Sequence, residues 1–126
     1  MLADLAPGCE VVAVDEVTAG AAATVLLARD LIDSDEPLMI ANSDQWIDTA
    51  IDDYLSWADA TPARGLIMTM WADHPQWSYV RLDDRSRVIE VVEKQVVSNE
   101  ATVGIYNFAH GADYVRAADA MIEANL

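Results

Sequence analysis

The sequence predicts an α/β protein in which helices pack on a mixed sheet. Short apolar runs of strand length alternate with segments whose apolar residues recur at helical spacing. A composition of 53% hydrophobic and 23% charged residues is that of a folded chain, not a disordered one. Because 126 residues are enough for one core, we expect a single domain over residues 1–126.

The first predicted elements are a strand and a helix. The run EVVAVD, Glu10 to Asp15, is short and rich in valine, which predicts a buried strand. Thr18 stands where it can cap the helix that follows, because apolar residues recur at helical spacing between Gly20 and Ser34. The small residues of TAGAAAT allow either close packing on a sheet or close approach of a ligand to the helix.

The middle of the chain supplies two more strands with a helix between them. LMIAN, residues 38–42, is almost wholly apolar, which predicts a central strand covered on both faces. Asp48 or Thr49 is expected to cap the next helix, and GLIMTMWA, residues 65–72, predicts a second apolar strand. Ligands of sheets with parallel strands bind beyond the carboxyl ends of those strands, where Asn42 to Asp44 lie.

The last third predicts a hairpin, a strand and a helix. WSYVRLD and RVIEVVEK flank a short polar turn, so they are expected to pair as antiparallel strands. ATVGIYNF, from Ala101, predicts the final strand. The helix predicted from Ala112 to Asn125 has one apolar face, formed by Tyr114, Val115, Ala118, Met121 and Ile122.

The charge excludes some classes of partner. Seven basic residues stand against 22 acidic ones, and a net charge of −15 repels both nucleic acid and anionic membranes. An anionic nucleotide would need a divalent cation or local positive charges to bind. No apolar stretch approaches the length of a membrane span, and a lone cysteine cannot form an internal disulfide, so we expect a cytoplasmic protein.

Two groups of polar residues are candidates for chemistry. Asp44 follows an apolar strand, where its carboxylate can hold a cation that bridges to phosphate oxygens or can simply close a turn. Glu93 and Lys94 are adjacent at a strand end, so their side chains are expected to diverge. They suit sugar hydroxyls and a phosphate respectively, although an exposed, charged strand end has the same sequence.

Taken in order, these segments resemble the nucleotidyltransferases that make nucleoside-diphosphate sugars from a nucleoside triphosphate and a sugar 1-phosphate. The resemblance runs from about Val11 to Asn125. DEVTAGAAAT is similar to the family segment beside the nucleobase, which implies that Glu16, Gly20 and Ala23 lie on that side. LMIANSDQ is similar to the strand that carries the family's metal-binding aspartate, which implies that Asp44 binds Mg²⁺.

The sugar side of the family site resembles the second half of the chain. HPQWSYVRLDDRSRVIEVVEK is similar to the sugar-binding strand, turn and Glu-Lys pair of the family. The resemblance implies that Glu93 contacts sugar hydroxyls and Lys94 the sugar phosphate, with Ser78 where glycine is common. ATVGIYNF is similar to the family's glycine-tyrosine strand, which implies that Gly104 lies near the sugar.

The resemblance implies a truncated, Rossmann-like nucleotidyltransferase sheet. The family's Gly-rich triphosphate loop would precede Glu10, and its second metal-binding aspartate would follow the last helix; neither pattern occurs in these residues. We therefore expect an internal fragment that is inactive alone and retains weak binding of a sugar phosphate or nucleotide. The alternative is a non-enzymatic interaction or assembly module. In both cases an open strand edge favours a homo-oligomer.

Overall fold

The computed structural model describes residues 2–125, which divide into two compact units. The helical unit comprises residues 2–36 and 110–125, and the sheet unit comprises residues 37–109. The expectation of a single domain over residues 1–126 stays a prediction. The helices are α1 Leu2–Leu5, α2 Ala21–Leu26, α3 Arg29–Ile32, α4 Ile51–Ala60 and α5 Gly111–Glu123; the strands are β1 Leu38–Ala41, β2 Gly65–Trp71, β3 Tyr79–Leu82, β4 Val88–Val92 and β5 Glu100–Phe108.

The sheet is organised around β5, the longest strand. On one edge β5 pairs with β2 over both of its halves. On the other edge β1 pairs with residues 105–108 of β5, and β3 approaches Ala101. Because both β1 and β3 are antiparallel to β5, they run in the same direction and lie one after the other along that edge. The gap between β1 and β3 is therefore the place on this edge where other groups can approach β5.

The α/β class is confirmed, but two details of the predicted sheet are wrong. Each strand pair in the described part of the chain is antiparallel, so the expected parallel neighbours do not form there. β1 pairs only with β5 in that part, so the LMIAN run is an edge strand and not a central one. An apolar run indicates burial on both faces, and it cannot show how many edges are paired.

The hairpin and the last strand form the core of the sheet unit. β3 and β4 pair as predicted, and the turn between them is held by Asp83, whose carboxylate accepts bonds from the backbone amides of Arg85 and Arg87. Tyr79 and Ala101 are fully buried, and Tyr79 donates a hydrogen bond from its hydroxyl to the carbonyl of His74 at 2.8 Å. These contacts fix β3 and its turn into β4, the strand that precedes Glu93 and Lys94.

The helical unit is built on α5. Tyr114, Val115 and Ala118 are buried as the apolar pattern predicts, whereas Met121 and Ile122 are 38% and 49% exposed. The two exposed residues lie near the C-terminal end of α5, the helix that packs against α2 and α3. The Tyr114 hydroxyl donates to the carbonyl of Ala22 at 2.9 Å, which joins α5 to α2.

Three local expectations in the first half of the chain are wrong. Residues 10–15 do not form a strand; Val11 is 72% exposed, and a strand is not stable without a hydrogen-bonded neighbour. Thr18 does not cap α2, because Gly20 occupies the N-cap and the Thr18 hydroxyl donates to the Gly20 carbonyl. The predicted helix from residue 20 to 34 is divided into α2 and α3.

The α4 helix forms where it is expected but begins differently. Its N-cap is Ala50, without a side-chain cap, so neither Asp48 nor Thr49 has the predicted role. Asp52 and Asp53 lie in its first turn, where negative charge is favourable to the helix dipole. Among the described residues, no helix combines the length and the apolar character that crossing a membrane requires.

Candidate functional site

The gap between β1 and β3 brings several of the predicted site residues to one edge of β5. Just past β1, the backbone N–H of Asn42 donates to the carbonyl of Gly104 at 3.1 Å. Just before β3, the carbonyl of Ser78 accepts from the N–H of Thr102 at 2.8 Å. A single residue of β5, Val103, therefore separates the residue bonded to the loop after β1 from the residue bonded to the start of β3.

The Glu93–Lys94 segment joins the same edge through one further hydrogen bond. The backbone N–H of Lys94 donates to the carbonyl of Trp77 at 3.1 Å, and Trp77 directly precedes Ser78 in the chain. The residues after β4 are thus attached to the start of β3. Since Ser78 is bonded to β5, the backbone connections lead from the Glu-Lys pair through residues 77–78 to the centre of β5.

Gly104 is buried and has a conformation that favours glycine. Its φ is +77°, in the region that side chains with a Cβ rarely adopt. A Cβ at this position would lie 2.3 Å from Nδ2 and 2.8 Å from Cγ of Asn42, and 2.9 Å from Oε1 of Gln45. The absence of a side chain therefore lets the loop after β1 lie directly against β5.

Asp44 lies between these two contacting residues, in the loop Asn42–Gln45. Its side chain is exposed, and so is Trp46 beyond it, with 83% exposure. In the described residues, no group of three or more His, Cys, Asp or Glu side chains is arranged to hold a metal ion. Mg²⁺ often takes only one or two protein carboxylates and completes its shell with water and substrate phosphates. An exposed single carboxylate fits that second type of site.

The side chains of Glu93 and Lys94 do not diverge as expected. β4 ends at Val92, and Lys94 has a φ of +53°, so the strand alternation on which the prediction depended has already stopped. Nζ of Lys94 lies 3.3 Å from Oε1 of Glu93, with both side chains more than 70% exposed. Such an exposed ion pair contributes little to stability, so both groups remain accessible to a ligand.

The residues predicted on the nucleobase side all belong to the helical unit. Glu16 is exposed in the irregular segment before α2, and Gly20 is the N-cap of that helix. Ala23 is half-buried within α2, and a Cβ added at Gly20 would meet nothing within 4 Å. A larger side chain would therefore fit at this position, so packing does not require a glycine there.

Most positive charges in the described chain are paired with acids. In the sheet unit Arg87 pairs with Asp83 at 2.6 Å and Arg81 with Glu90 at 2.9 Å. Backbone and side-chain hydrogen bonds from Arg87 lower the pKa of Asp83 below its usual range. In the helical unit Arg29 forms a two-point pair with Asp119 and lowers the pKa of that carboxyl. These pairs leave few cations to attract a phosphate.

Sequence reasoning did not identify Asn42 and Gln45 as site residues. Both are ordinary polar residues in a loop, and nothing in the pattern NSDQ shows which of them turns back towards the sheet. One signal was present: a glycine inside a strand of β-branched residues often marks a close approach by another segment. Gly104 carries that signal, and the loop after β1 is the segment that approaches.

Comparison with known proteins places the whole arrangement in one family. The family model described as Nucleotidyl transferase matches residues 8–124, which includes nearly every described residue of both units. The catalytic subunit beta of mannose-1-phosphate guanylyltransferase from Dictyostelium discoideum is 32% identical over 98 residues. That match covers 75% of this chain but only 27% of the relative, so the chain spans about a quarter of the relative's length.

Two solved structures are similar in fold. A putative glucose-1-phosphate thymidylyltransferase from Bacillus anthracis, in complex with a sucrose, matches 76% of this chain and 39% of its own, with a TM-score of 0.64 and 19% identity. A nucleoside-diphosphate-sugar pyrophosphorylase from Vibrio cholerae matches 80% of this chain and 43% of its own, with a TM-score of 0.58 and 20% identity. The chain belongs to the nucleotidyl transferase family.

Proposed function

We propose that these 126 residues form the sugar-phosphate-binding part of a nucleotidyltransferase domain that serves sugar-nucleotide synthesis. In this proposal the polypeptide binds a sugar 1-phosphate weakly and does not transfer a nucleotidyl group by itself. The observation that carries it is the close approach of Asn42 and Gln45 to Gly104, on the same edge of β5 as Ser78. The family membership supplies the chemistry of the ligand.

The residues of this edge have complementary roles in the proposed site. The ammonium group of Lys94 binds the sugar phosphate, and the carboxylate of Glu93 accepts hydrogen bonds from sugar hydroxyls. Binding replaces the exposed contact between these two side chains, which costs little because solvent already screens it. Gly104 lets the loop after β1 lie directly against β5, and the sugar ring is proposed to bind at this edge, between that loop and Ser78.

Asp44 is proposed as the ligand of a divalent cation that arrives with the nucleotide. When bound, Mg²⁺ would neutralise phosphate charge and orient the phosphate oxygens. Asp44 would hold it at the loop that contacts Gly104. The residues proposed on the nucleobase side are Glu16, Gly20 and Ala23, which belong to the helical unit.

Nucleotidyl transfer needs more positive charge than this polypeptide supplies. Catalysis of phosphoryl transfer is largely positioning and charge stabilisation, provided by a phosphate-binding loop, basic side chains and metal ions. These 126 residues contain no Gly-rich loop with an arginine and a lysine, and they carry a net charge of −15. We therefore propose binding without turnover for this polypeptide.

Calorimetric titration with mannose 1-phosphate and glucose 1-phosphate tests the proposal, because similar proteins bear those sugars in their names. We expect dissociation constants of roughly millimolar or a little below, which correspond to about −4 kcal/mol. Lys94→Ala should weaken binding several-fold. Arg116→Ala, which removes the same charge from the helical unit, should not.

A coupled assay for pyrophosphate tests the second half of the proposal. No release above background is expected with both substrates and magnesium present. Release that depends on both substrates, and that Asp44→Ala abolishes, would contradict the absence of turnover. Equal sugar-phosphate affinity of the Lys94→Ala and Arg116→Ala variants would contradict the assigned site.

A second candidate function is self-assembly, and the open edge of β1 favours it. Within residues 2–125 this strand pairs on one side only, and Met39 on it is 43% exposed. An unpaired apolar edge can pair with the same edge of a second copy, which would give a two-fold homodimer. Trp71, 72% exposed, and Trp57, 58% exposed, are further candidate anchors.

Sedimentation equilibrium separates assembly from binding. We expect a dimer at physiological salt that dissociates in the variant Met39→Lys, because a charge is introduced at the β1 edge. Met121→Lys is the matched control, since Met121 is similarly exposed but lies on α5. A monomer at high protein concentration would remove this candidate and leave the sugar-phosphate proposal unaffected.

A further inference from the structure

A large apolar cavity in the sheet unit shares no residue with the proposed sugar-phosphate site. Its volume is about 1050 Å³, and it is open to solvent on one side. Its walls come from α4, β2, the end of β5 and the β3–β4 hairpin, with Trp57, Leu66, Ile67, Val80, Val88 and Phe108 as the principal apolar residues. Small-molecule pockets commonly occupy roughly 300–1,000 Å³, so the cavity is large enough for a ligand of drug size.

Two residues that line the cavity each carry a polar atom that is buried without a hydrogen-bond partner in the described part of the chain. These atoms are the hydroxyl of Tyr54 on α4 and the Oδ1 atom of Asn107 on β5. Leaving a buried polar group unpaired is costly, and such groups in folded proteins are normally satisfied by protein, water or ligand. Burial also raises the pKa of Tyr54, so its phenol stays protonated and can donate a hydrogen bond.

The hairpin contributes a positive charge at the cavity. Arg85 lies in the β3–β4 turn and is exposed, and its backbone N–H bonds to Asp83. No ion pair of its guanidinium is present in the described residues, whereas the neighbouring Arg87 is held by Asp83. In a chain with a net charge of −15, an arginine without an acid partner beside an apolar cavity is a distinctive feature.

We infer that this cavity binds a small organic carboxylate with an apolar, preferably aromatic, body. The apolar walls would cover the body, and the Arg85 guanidinium would hold the carboxylate, a pairing for which arginine's planar fork is well suited. The Tyr54 hydroxyl would donate to, and Asn107 Oδ1 would accept from, polar groups on the ligand. This site is separate from the Asn42–Gln45 loop and does not depend on the sugar-phosphate proposal.

The charge dependence of binding gives the first test. 2-Naphthoate and its neutral counterpart 2-naphthamide have the same ring system, and each is titrated into the 126-residue chain by calorimetry. We expect saturable binding of 2-naphthoate that is roughly three- to tenfold tighter than that of the amide. Arg85→Ala should remove that preference, and Arg116→Ala, with the same change in net charge, should keep it.

A cavity-filling variant gives the second test. Val88 lines the cavity, and Val88→Trp should reduce binding of both compounds at least about tenfold by occupying the space. Val91→Trp is the control, because Val91 is a similarly exposed residue of the same strand that does not line the cavity. Far-ultraviolet circular dichroism and the unfolding midpoint show whether each variant is folded.

Each result of these titrations either supports the inference or overturns it. Naphthoate binding that Arg85→Ala and Val88→Trp weaken, and that their controls preserve, supports the inference. Absence of saturable binding by the wild-type chain overturns it. Equal affinity for the acid and the amide, or equal loss in Val88→Trp and Val91→Trp, overturns it as well. If Val88→Trp is unfolded, the comparison of Arg85→Ala with Arg116→Ala decides alone.

Discussion

Two runs that predict strands, residues 10–15 and β5, behave differently in this chain. Residues 10–15 are irregular and solvent-exposed, with Val11, Val12 and Val14 at 72%, 43% and 46% exposure. β5 is a continuous strand in which Ala101 is fully buried and Val103 is 6% exposed. Both runs satisfy the same sequence criteria for a buried strand. The difference is that β5 has hydrogen-bonded strands on both edges, and residues 10–15 have no such neighbour in the described chain.

The comparison shows what strand propensity measures. β-branched residues favour a strand because they pack well on a pleated, partly buried surface, and this benefit requires neighbouring strands. Residues 10–15 therefore have a high strand propensity but do not form a strand. In β5 the same preference is realised, and Gly104, with its positive φ, lies where the pairing with β2 shifts register.

The largest effect is expected at the two glycines with positive φ, Gly104 within β5 and Gly8 just before residues 10–15. Gly104→Ala should lower the free energy of unfolding by about 3 kcal/mol, because left-handed backbone strain adds to contact with Asn42 and Gln45. Gly8→Ala introduces similar strain at a φ of +84°, with nothing within 4 Å, and should cost about 1 kcal/mol. Urea unfolding measures both. Equal losses would show that the contact with the loop is unimportant.

Valine truncation compares the two runs directly. Val103→Ala should lower the free energy of unfolding by about 2 kcal/mol, because it removes buried methyl groups from β5. Val11→Ala should change it by less than about 0.5 kcal/mol, because the side chain is already exposed. A similar loss in the two variants, measured by urea unfolding, would mean that residues 10–15 are buried in solution.

A smaller effect is expected where a hydrogen bond fixes the start of β3. Tyr79→Phe removes the hydroxyl that donates to the His74 carbonyl and should cost about 1 kcal/mol in urea unfolding. Tyr106, which is half-buried, gives a control: its hydroxyl makes no hydrogen bond in the described residues, so Tyr106→Phe should be nearly neutral. A neutral Tyr79→Phe variant would show that the bond does not hold the strand.

The smallest effect is a dependence on pH in the hairpin turn. Hydrogen bonds from Arg87 lower the folded-state pKa of Asp83 below its unfolded value. The resulting stabilisation is fully present above the unfolded pKa, about 4, and is lost as the pH falls through the folded pKa. Unfolding midpoints between pH 6 and pH 2 should therefore fall less in Asp83→Asn than in the wild-type chain. An identical fall in both would contradict the assignment.

Local patterns were sufficient for most elements and for part of the site. The β3–β4 hairpin, β2, β5 and α5 follow from alternation, apolar runs and one amphipathic face, because each of these patterns is continuous in sequence. The edge position of β1 and the irregular state of residues 10–15 depend on which strands are adjacent in space. A single sequence carries no direct record of that pairing.

Prediction of the site from the sequence is limited in the same way, because spatial neighbours are not recorded in a single sequence. The family resemblance implied a role for Gly104, and the position of Asp44 after an apolar run predicted a loop at the end of a strand. The contacts of Asn42 and Gln45 with Gly104 could not be predicted, because they depend on the conformation of a polar loop. The pairing of Glu93 with Lys94 was also missed, since it follows from the left-handed backbone at Lys94.

Mapping of backbone amide chemical shifts shows whether one edge of β5 binds a sugar 1-phosphate. A ¹⁵N-labelled chain is titrated with a sugar 1-phosphate, with the free sugar and inorganic phosphate as controls. If this edge binds the ligand, saturable shifts concentrate at Asn42–Gln45, Ser78, Lys94 and Gly104, with no comparable shifts at Asp84–Ser86 in the hairpin turn. Shifts that avoid the β5 edge, or equal shifts with inorganic phosphate alone, would contradict it.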